Sequence, residues 1–310
     1  MNQNLPLIVI LGPTASGKTH LATHLAHKIQ GEIISADSRQ VYRGMNIGTG
    51  KDLDEYRVDN QLIPYHLIDI LDAGEQYHIH KFQQDFQTVF EDITSRNKPA
   101  ILCGGSGMYL EAVLKGYEFT AIPIDENLRE ELLSKTTEEL LIIFKKNPSE
   151  YTQKADIPTR KRLIRAIEIS QFLFQNPDFK IPKPKIPNAI IFGLNPETET
   201  RRERITKRLH ERLQNGMIEE VKSLIDNGIP PDKLIFYGLE YKFITQYLTG
   251  EMNYETMVER LNIAIHQFAK RQMTYFRKME SDGLIINWLD QKLPFDKKLE
   301  EIITKMFASI

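Results

Sequence analysis

LPLIVILGPTASGKT (5–19) decides how the chain folds. Its opening run of Leu, Ile and Val reads as a short buried strand. Gly12-Pro13-Thr14-Ala15-Ser16-Gly17-Lys18-Thr19 then matches G-x-x-x-x-G-K-[ST], a phosphate-binding loop. HLATHLAHKIQ (20–30) has apolar residues at helical spacing, and Gly31 after it stands where a helix C′ residue is expected. In a strand–loop–helix context the glycines let backbone N–H groups converge on an anion, and the helix start adds its positive dipole end. Lys18 supplies a mobile charge, and the Thr19 hydroxyl can ligate a magnesium ion, Mg2+. Gly12, Thr14, Ala15, Ser16, Gly17, Lys18 and Thr19 are therefore the expected phosphate contacts.

Working outward, EIISAD (32–37) and PAILC (99–103) read as further strands. HIHKFQQDFQTVFEDI between them places Phe82, Phe86, Val89, Phe90 and Ile93 on one helical stripe. Strands joined by helical crossovers pair in parallel. Residues 125–175 show helical patterns with no strand, and NPDFKIPKPKIPN (176–188) is a proline-rich, non-helical linker. AIIFGL (189–194) returns to the sheet, residues 198–281 are mostly helical, and LIINWL (284–289) reads as a last strand. The expected class is α/β: a P-loop NTPase-like parallel sheet core with an inserted helical domain. The expected division is residues 1–120 as the first part of the core, 121–186 as the insertion and 187–310 as the second part.

Composition narrows the function. The 310 residues are 41% hydrophobic and 26% charged, which excludes a wholly disordered chain. No apolar run approaches the ~20 residues needed to span a bilayer, and the N-terminus lacks the basic region of a secretory signal. A single cysteine, Cys103, excludes a disulfide scaffold and fits a reducing cytoplasm. The formal net charge of −2 hides a strong segregation. Residues 154–212 hold 14 basic and 7 acidic side chains, and HQFAKRQMTYFRK (266–278) holds four basic and none acidic. Two such segments on an acidic body suggest one positive face for a polyanion.

Strand 32–37 ends in Asp37, followed by Ser38-Arg39-Gln40-Val41-Tyr42. Ligands of open α/β sheets sit beyond the strand carboxyl ends, so Asp37 is expected beside the bound phosphates. It could orient a metal, accept a proton from a nucleophile, or simply cap the next segment. Gln40 has the chemistry to pair with an adenine edge. A motor ATPase or switch GTPase needs a second metal carboxylate at another strand end. Here PAILC runs into Gly104-Gly105-Ser106, and Asp69 in LIDI sits mid-run. The loop therefore fits a transferase or a small-molecule kinase better than a motor.

GPTASGKT, ISADSRQVYRGMNIGTGK, PYHLIDI, GGSGMYL and KRQMTYFRK together resemble the bacterial tRNA dimethylallyltransferases, over most of the chain. The resemblance implies transfer of a dimethylallyl group from dimethylallyl pyrophosphate to N6 of the tRNA adenosine just 3′ of the anticodon, in tRNAs reading codons that begin with U. It implies that the loop holds pyrophosphate with Mg2+ on Thr19, and that Asp37 is the general base. Ser106 would seat the reacting groups, and Arg204 in RRERITKRL would neutralise the leaving group, with Arg201, Arg202 and Arg208 close by in sequence. Ser38, Gln40, Tyr42, Arg43, Tyr275 and Phe276 would meet the flipped adenosine and its neighbours. Lys270, Arg271, Arg277 and Lys278 would track the RNA backbone. Arg160, Lys161, Arg162 and Arg165 of the insertion would grip the anticodon stem. The expected partners are tRNA and the prenyl donor, with no membrane, and the expected assembly is a cytoplasmic monomer. Departures from the family pattern are IGTGKD (47–52) where IGTAKP is common, Thr198 where an arginine is frequent, and Tyr237-Gly238-Leu239-Glu240 for the usual Gly-Tyr-x-Glu. Rival readings are an adenylate isopentenyltransferase acting on AMP, an ATP-dependent small-molecule kinase and a non-catalytic RNA-binding module.

Overall fold

The computed structural model describes residues 5–146 and 148–308. Residues up to Lys115 together with those from Ile186 onward form one compact unit; Gly116–Lys185 form a second.

The larger unit is built on a parallel sheet. Strands β1 (Leu7–Leu11), β2 (Glu32–Ser35), β5 (Tyr65–His66), β6 (Ala100–Gly104), β7 (Ala189–Gly193) and β8 (Ile286–Trp288) lie in the order β5-β2-β6-β1-β7-β8. β1 is central, with Ile8 opposite Ile101 of β6 and Ile190 of β7. Because β1 is apolar on both faces, the period-two alternation divides its side chains between two cores. Leu7, Val9 and Leu11 pack with helix α2 (Ile79–Ser95), helix α3 (Gly107–Lys115) and the end of helix α12 (Tyr254–Ser281) through Phe82, Phe86, Leu110, Met273 and Phe276. Ile8 and Ile10 pack with helix α1 (Lys18–Ile29) and helix α13 (Phe295–Phe307) through Leu21, Leu25, Leu299 and Ile302. A third core joins the segment after β2, through Val41, Tyr42 and Met45, to helices α8 (Thr198–Gln214), α9 (Met217–Asp226) and α11 (Leu239–Leu248) and the first half of α12.

The strands read from sequence are present, trimmed or shifted by one or two residues at their ends. The segment 50–66 was not legible as structure: it forms a 3-10 turn at Leu53–Tyr56, a small antiparallel hairpin of β3 (Arg57–Val58) with β4 (Gln61–Leu62), and the short edge strand β5. Two-residue strands carry too little periodicity to read. The end of α1 also differs from expectation. Gln30, not Gly31, takes the left-handed conformation (φ 54), while the Gly31 N–H closes the turn on the Ala26 carbonyl at 2.9 Å. Gly31 is needed for space, since a Cβ there would stand 2.8 Å from the Pro99 carbonyl oxygen.

The second unit packs helices α4 (Glu126–Leu133), α5 (Thr137–Lys146), α6 (Glu150–Lys154) and α7 (Arg160–Gln175), with a small core of Leu132, Leu140, Phe144, Leu163, Ile164 and Ile167. Its buried Glu168 is paired by Arg129 at 2.8 Å and Arg165 at 3.1 Å. Residues 176–188 contain neither helix nor strand.

At the end of the sheet away from the loop, buried Glu32 at the start of β2 accepts hydrogen bonds from Arg96 and from His66. These partners, Arg96 foremost, hold its carboxyl at about 2, against an ordinary 4.5. A carboxyl depressed on folding contributes stability that is complete above its unfolded value and is lost as pH falls through its folded one. The window is therefore pH 4.5 down to about 2. Glu32→Gln should cost about 2 kcal/mol at neutral pH and flatten the acid limb of stability in that window. Thermal melts at several pH values test this, and an unchanged acid limb would refute it.

Candidate active site

The loop between β1 and α1 is a backbone device first. The Ser16 N–H bonds back to the Pro13 carbonyl at 3.3 Å, and Ala15 (φ 59) and Gly17 (φ 82) both turn left-handed. Such alternation turns successive N–H groups toward one concavity. Gly17 takes this conformation without the cost a Cβ would add. α1 begins immediately at Lys18, so its positive end faces the same space. Gly12 allows β1 to pass close to β7: a Cβ on it would lie 2.9 Å from the Leu194 carbonyl oxygen.

Beyond the strand ends lies a cavity of about 660 Å³ whose walls include Thr14, Lys18, Thr19, Asp37, Ser38, Gln40, Ser106, Arg208 and Gln272. Burial pushes the Lys18 ammonium below its usual range, and Arg208 presses it the same way. Arg208 is itself pushed down to about 10, by burial and then by Arg212. Two cations that destabilise one another at the mouth of an N–H-lined loop describe a site completed by an anion. Arg208 donates to the Thr14 hydroxyl, and its guanidinium stands 3.8 Å from the Asp52 carboxylate.

The facing wall comes from β2 and β6. The Ala36 N–H extends the β2 ladder by bonding to the Cys103 carbonyl at 2.8 Å, which brings Asp37 out over the strand ends. One oxygen of Asp37 accepts the Arg39 N–H at 2.9 Å. The Ser38 N–H bonds to the Ser106 hydroxyl at 3.3 Å, tying the Asp37 segment to the turn after β6. Gly104, Gly105 and Gly107 in that turn are dictated by neighbours. A Cβ on Gly104 would lie 2.2 Å from the Ala36 carbonyl oxygen, on Gly105 2.4 Å from Gln272 Nε2, and on Gly107 2.3 Å from the Tyr275 ring. The late KRQMTYFRK segment is thus a wall of the site: Gln272 accepts the Thr14 N–H at 2.8 Å and donates to the Gly105 carbonyl at 2.9 Å.

The signature of the IPP transferase family matches residues 40–279. The chain belongs to that family. Relatives extend the match along nearly the whole chain. A tRNA dimethylallyltransferase of Porphyromonas gingivalis is 52% identical over 297 residues, covering 96% of this chain and 98% of the relative. One from Geotalea uraniireducens is 48% identical, covering 96% of each. Among solved structures, a tRNA isopentenylpyrophosphate transferase of Bacillus halodurans superposes with a TM-score of 0.71 at 32% identity, covering 98% of this chain and 97% of its own. A eukaryotic dimethylallyltransferase acting on tRNA shares the fold, with a TM-score of 0.77 at 24% identity, covering 98% of this chain and 79% of its own.

Against this family site, the residues singled out from sequence sort into three groups. Thr14, Lys18, Thr19, Asp37, Ser38, Gln40, Ser106, Arg271 and Tyr275 line the cavity, and Gly12, Ala15, Ser16 and Gly17 form the loop backbone. A second group lies elsewhere or has its side chain already engaged. Arg204 is exposed, whereas Arg208, one turn further along α8, lines the cavity. The stripe Ile205, Leu209, Leu213 pins α8 so that Arg208 and Arg212 reach the cavity. Arg201 and Arg202 bond near the start of α8, to Asn195 at 3.4 Å and Glu199 at 3.0 Å. Tyr42 is buried edge-on against Tyr237, and Phe276 is fully buried in the sheet core, so neither ring is free to stack on a base. Gln40 has both ends of its amide engaged, accepting from Ser35 and donating to the Gly50 carbonyl, each at 2.9 Å, so adenine pairing would require breaking them. Arg43 is exposed and paired with Asp72 at 2.9 Å.

The third group is basic surface. Lys270, Arg271, Arg277 and Lys278 are all exposed along α12, as their spacing predicts. In the insertion, Arg160 bonds to the Leu133 carbonyl at 2.9 Å, Arg165 to the Ile122 carbonyl at 2.6 Å, and exposed Arg162 to Asp156 at 2.5 Å. Arg160 and Arg165 thus brace the insertion itself. Sequence reasoning missed Asp52, Arg212, Phe236, Glu240, Phe268 and Gln272, all of which line the cavity. Burial raises the Glu240 carboxyl above its usual range. Only the departure at Tyr237-Gly238-Leu239-Glu240 drew attention to that stretch. Arg208→Ala should reduce turnover about 10²-fold, and Arg204→Ala should change it less than about threefold. Steady-state kinetics on both variants decides which arginine serves the site.

Proposed function

We propose that this chain transfers the dimethylallyl group of dimethylallyl pyrophosphate to N6 of the adenosine immediately 3′ of the anticodon, in tRNAs reading codons that begin with U, and releases pyrophosphate. One observation carries the reading: a single cavity brings the cations Lys18 and Arg208 at an anion-binding loop to face Asp37 and Ser106. The relatives named tRNA dimethylallyltransferases, about half identical over nearly their whole length, support the same activity.

The chemistry follows from that opposition. The loop N–H groups, Lys18 and Arg208 hold the diphosphate and stabilise the charge it gains as the C1–O bond breaks. The allyl carbon becomes positive as the electron pair leaves with the diphosphate. The adenine N6 is a poor nucleophile because its lone pair is delocalised into the ring, so its proton must be taken as the N6–C1 bond forms. Asp37 takes that proton, and the Ser106 hydroxyl, already held by the Ser38 N–H, orients the reacting groups. Among the described residues no group of three or more His, Cys, Asp or Glu could hold a metal by itself. A Mg2+ held by the Thr19 hydroxyl would add to neutralisation of the leaving group.

The macromolecular acceptor is read from the rim. Met108, Phe236 and Phe268 line the cavity yet are exposed, at 54%, 73% and 40%. Arg271 lies 6.0 Å over the Phe268 ring. An apolar, aromatic rim next to the basic stripe of α12 suits unstacked bases and a phosphate backbone. Phe236 and Phe268 take over the stacking role first expected of Tyr42 and Phe276. The exposed Lys161 and Arg162 of the insertion would contact the anticodon stem.

Unmodified tRNA, AMP or ATP incubated with and without dimethylallyl pyrophosphate separates the readings. Pyrophosphate release only with tRNA plus the prenyl donor is expected; release with AMP would overturn the choice of acceptor. Asp37→Ala should bind the donor normally and lose turnover by about 10² or more; near-normal turnover would remove it from the mechanism. Lys161→Glu with Arg162→Glu should weaken tRNA binding about tenfold and lower its salt dependence, leaving donor affinity unchanged in a filter-binding measurement.

A further inference from the structure

We infer that Gln272 is a positioning residue, which sets the gap between the seat of the leaving diphosphate and the wall that carries Ser106 and Asp37. The inference rests on the transfer reaction proposed above. In a loop of this kind backbone N–H groups turn inward to the anion. The Thr14 N–H does not: it is given to Gln272 Oε1 at 2.8 Å. The other end of the same amide donates from Nε2 to the Gly105 carbonyl at 2.9 Å. Gln272 is buried, and both partners are backbone groups, so the amide has one workable orientation. Flipped, it would set donor against donor and acceptor against acceptor.

The chain of contacts runs on from there. Gly105 precedes Ser106, whose hydroxyl takes the Ser38 N–H, and Ser38 follows Asp37. One side-chain amide thus connects the loop that holds the leaving group to the segment that holds the base. The glycine at 105 belongs to the same device, since a Cβ there would displace the amide, at 2.4 Å from Nε2. Gln272 sits within the basic stretch of α12, yet its amide faces inward between two backbone turns, so its effect falls on donor geometry and not on RNA affinity.

Gln272→Glu is the informative substitution. A protonated carboxyl reproduces both bonds of the amide, while the carboxylate keeps the acceptor and loses the donor. Burial and the Asp37 carboxylate in the same cavity raise the pKa of such a carboxyl, while Lys18, Arg208 and Arg271, which also line it, pull the other way. Activity relative to the parent protein should therefore be highest at low pH and fall as pH rises and the introduced group ionises. At pH 8 we expect kcat lower by about 10- to 100-fold and a raised KM for dimethylallyl pyrophosphate, with tRNA affinity within about twofold of the parent. Gln272→Asn, too short to reach both partners, runs in parallel. It should show the kinetic loss without the pH rescue, and it decides by the same kinetic readouts if the charged variant does not fold. Gly105→Ala should copy the loss, and combining it with Gln272→Asn should add little further.

A flat activity ratio across pH with unchanged donor KM would overturn the inference. So would a fall in tRNA affinity alone, which would make Gln272 an RNA contact. The parent protein is assayed alongside. Its failure to prenylate tRNA would strike the proposed reaction itself, a result distinguishable from any behaviour of the variants.

Discussion

Thr14 is the point on which the two halves of the site depend. Its N–H is taken by Gln272, 258 residues away in sequence, and its hydroxyl by Arg208, 194 residues away. A phosphate-binding loop is ordinarily a local object, fixed by the strand before it and the helix after it. Here two late helices, α8 and α12, also hold it, through residues far along the chain. The geometry of the loop is thus tied to segments from the far end of the chain.

That tie also explains the electrostatics. Lys18 and Arg208 are brought together at an electrostatic cost, and burial adds to it. Asp52 and Asp37 offset part of the cost without occupying the loop. In the proposed reaction an incoming diphosphate would supply the missing negative charge. As the allyl group departed, the negative charge on that diphosphate would rise, so under the proposed reaction the same cations would bind the transition state more strongly than the ground state. Asp37 is tied on one oxygen to the Arg39 N–H. This fixes the carboxylate on its wall, in the place that the proposed proton transfer requires.

How much of this was legible in the sequence follows from how local each feature is. The loop, its flanking strand and helix, and the strands at 32–35, 100–104 and 189–193 are encoded in contiguous residues, and they read correctly. The exposed basic stripe on α12 read correctly too, because helical spacing alone places it. What failed needed three dimensions. Arg204 and Arg208 are one turn apart on the same helix, and only the packing of Ile205, Leu209 and Leu213 says which reaches the loop. Tyr42 and Phe276 have the chemistry of stacking residues but lie in cores. Gln272 sits in a basic segment that suggests RNA, while its amide faces two backbone turns. The short strand β5 and the hairpin before it follow no repeating pattern.

The segment IGTGKD shows why a departure from a family pattern must be judged in its backbone and not residue by residue. Asp52 has φ 44, a conformation closed to proline, whose ring locks φ near −65°. The proline common in the family at this position thus requires a different local path. Gly50 is left-handed as well (φ 65), and a Cβ on it would stand 2.4 Å from the Arg212 guanidinium. Arg212 in turn donates to both oxygens of Asp52 at 2.9 Å. The glycine makes room for the arginine, the arginine holds the aspartate, and the aspartate stands against Arg208 at the mouth of the loop. Arg212 links the two positions: an alanine at 50 would crowd its guanidinium, and a proline at 52 would remove the carboxylate that it holds.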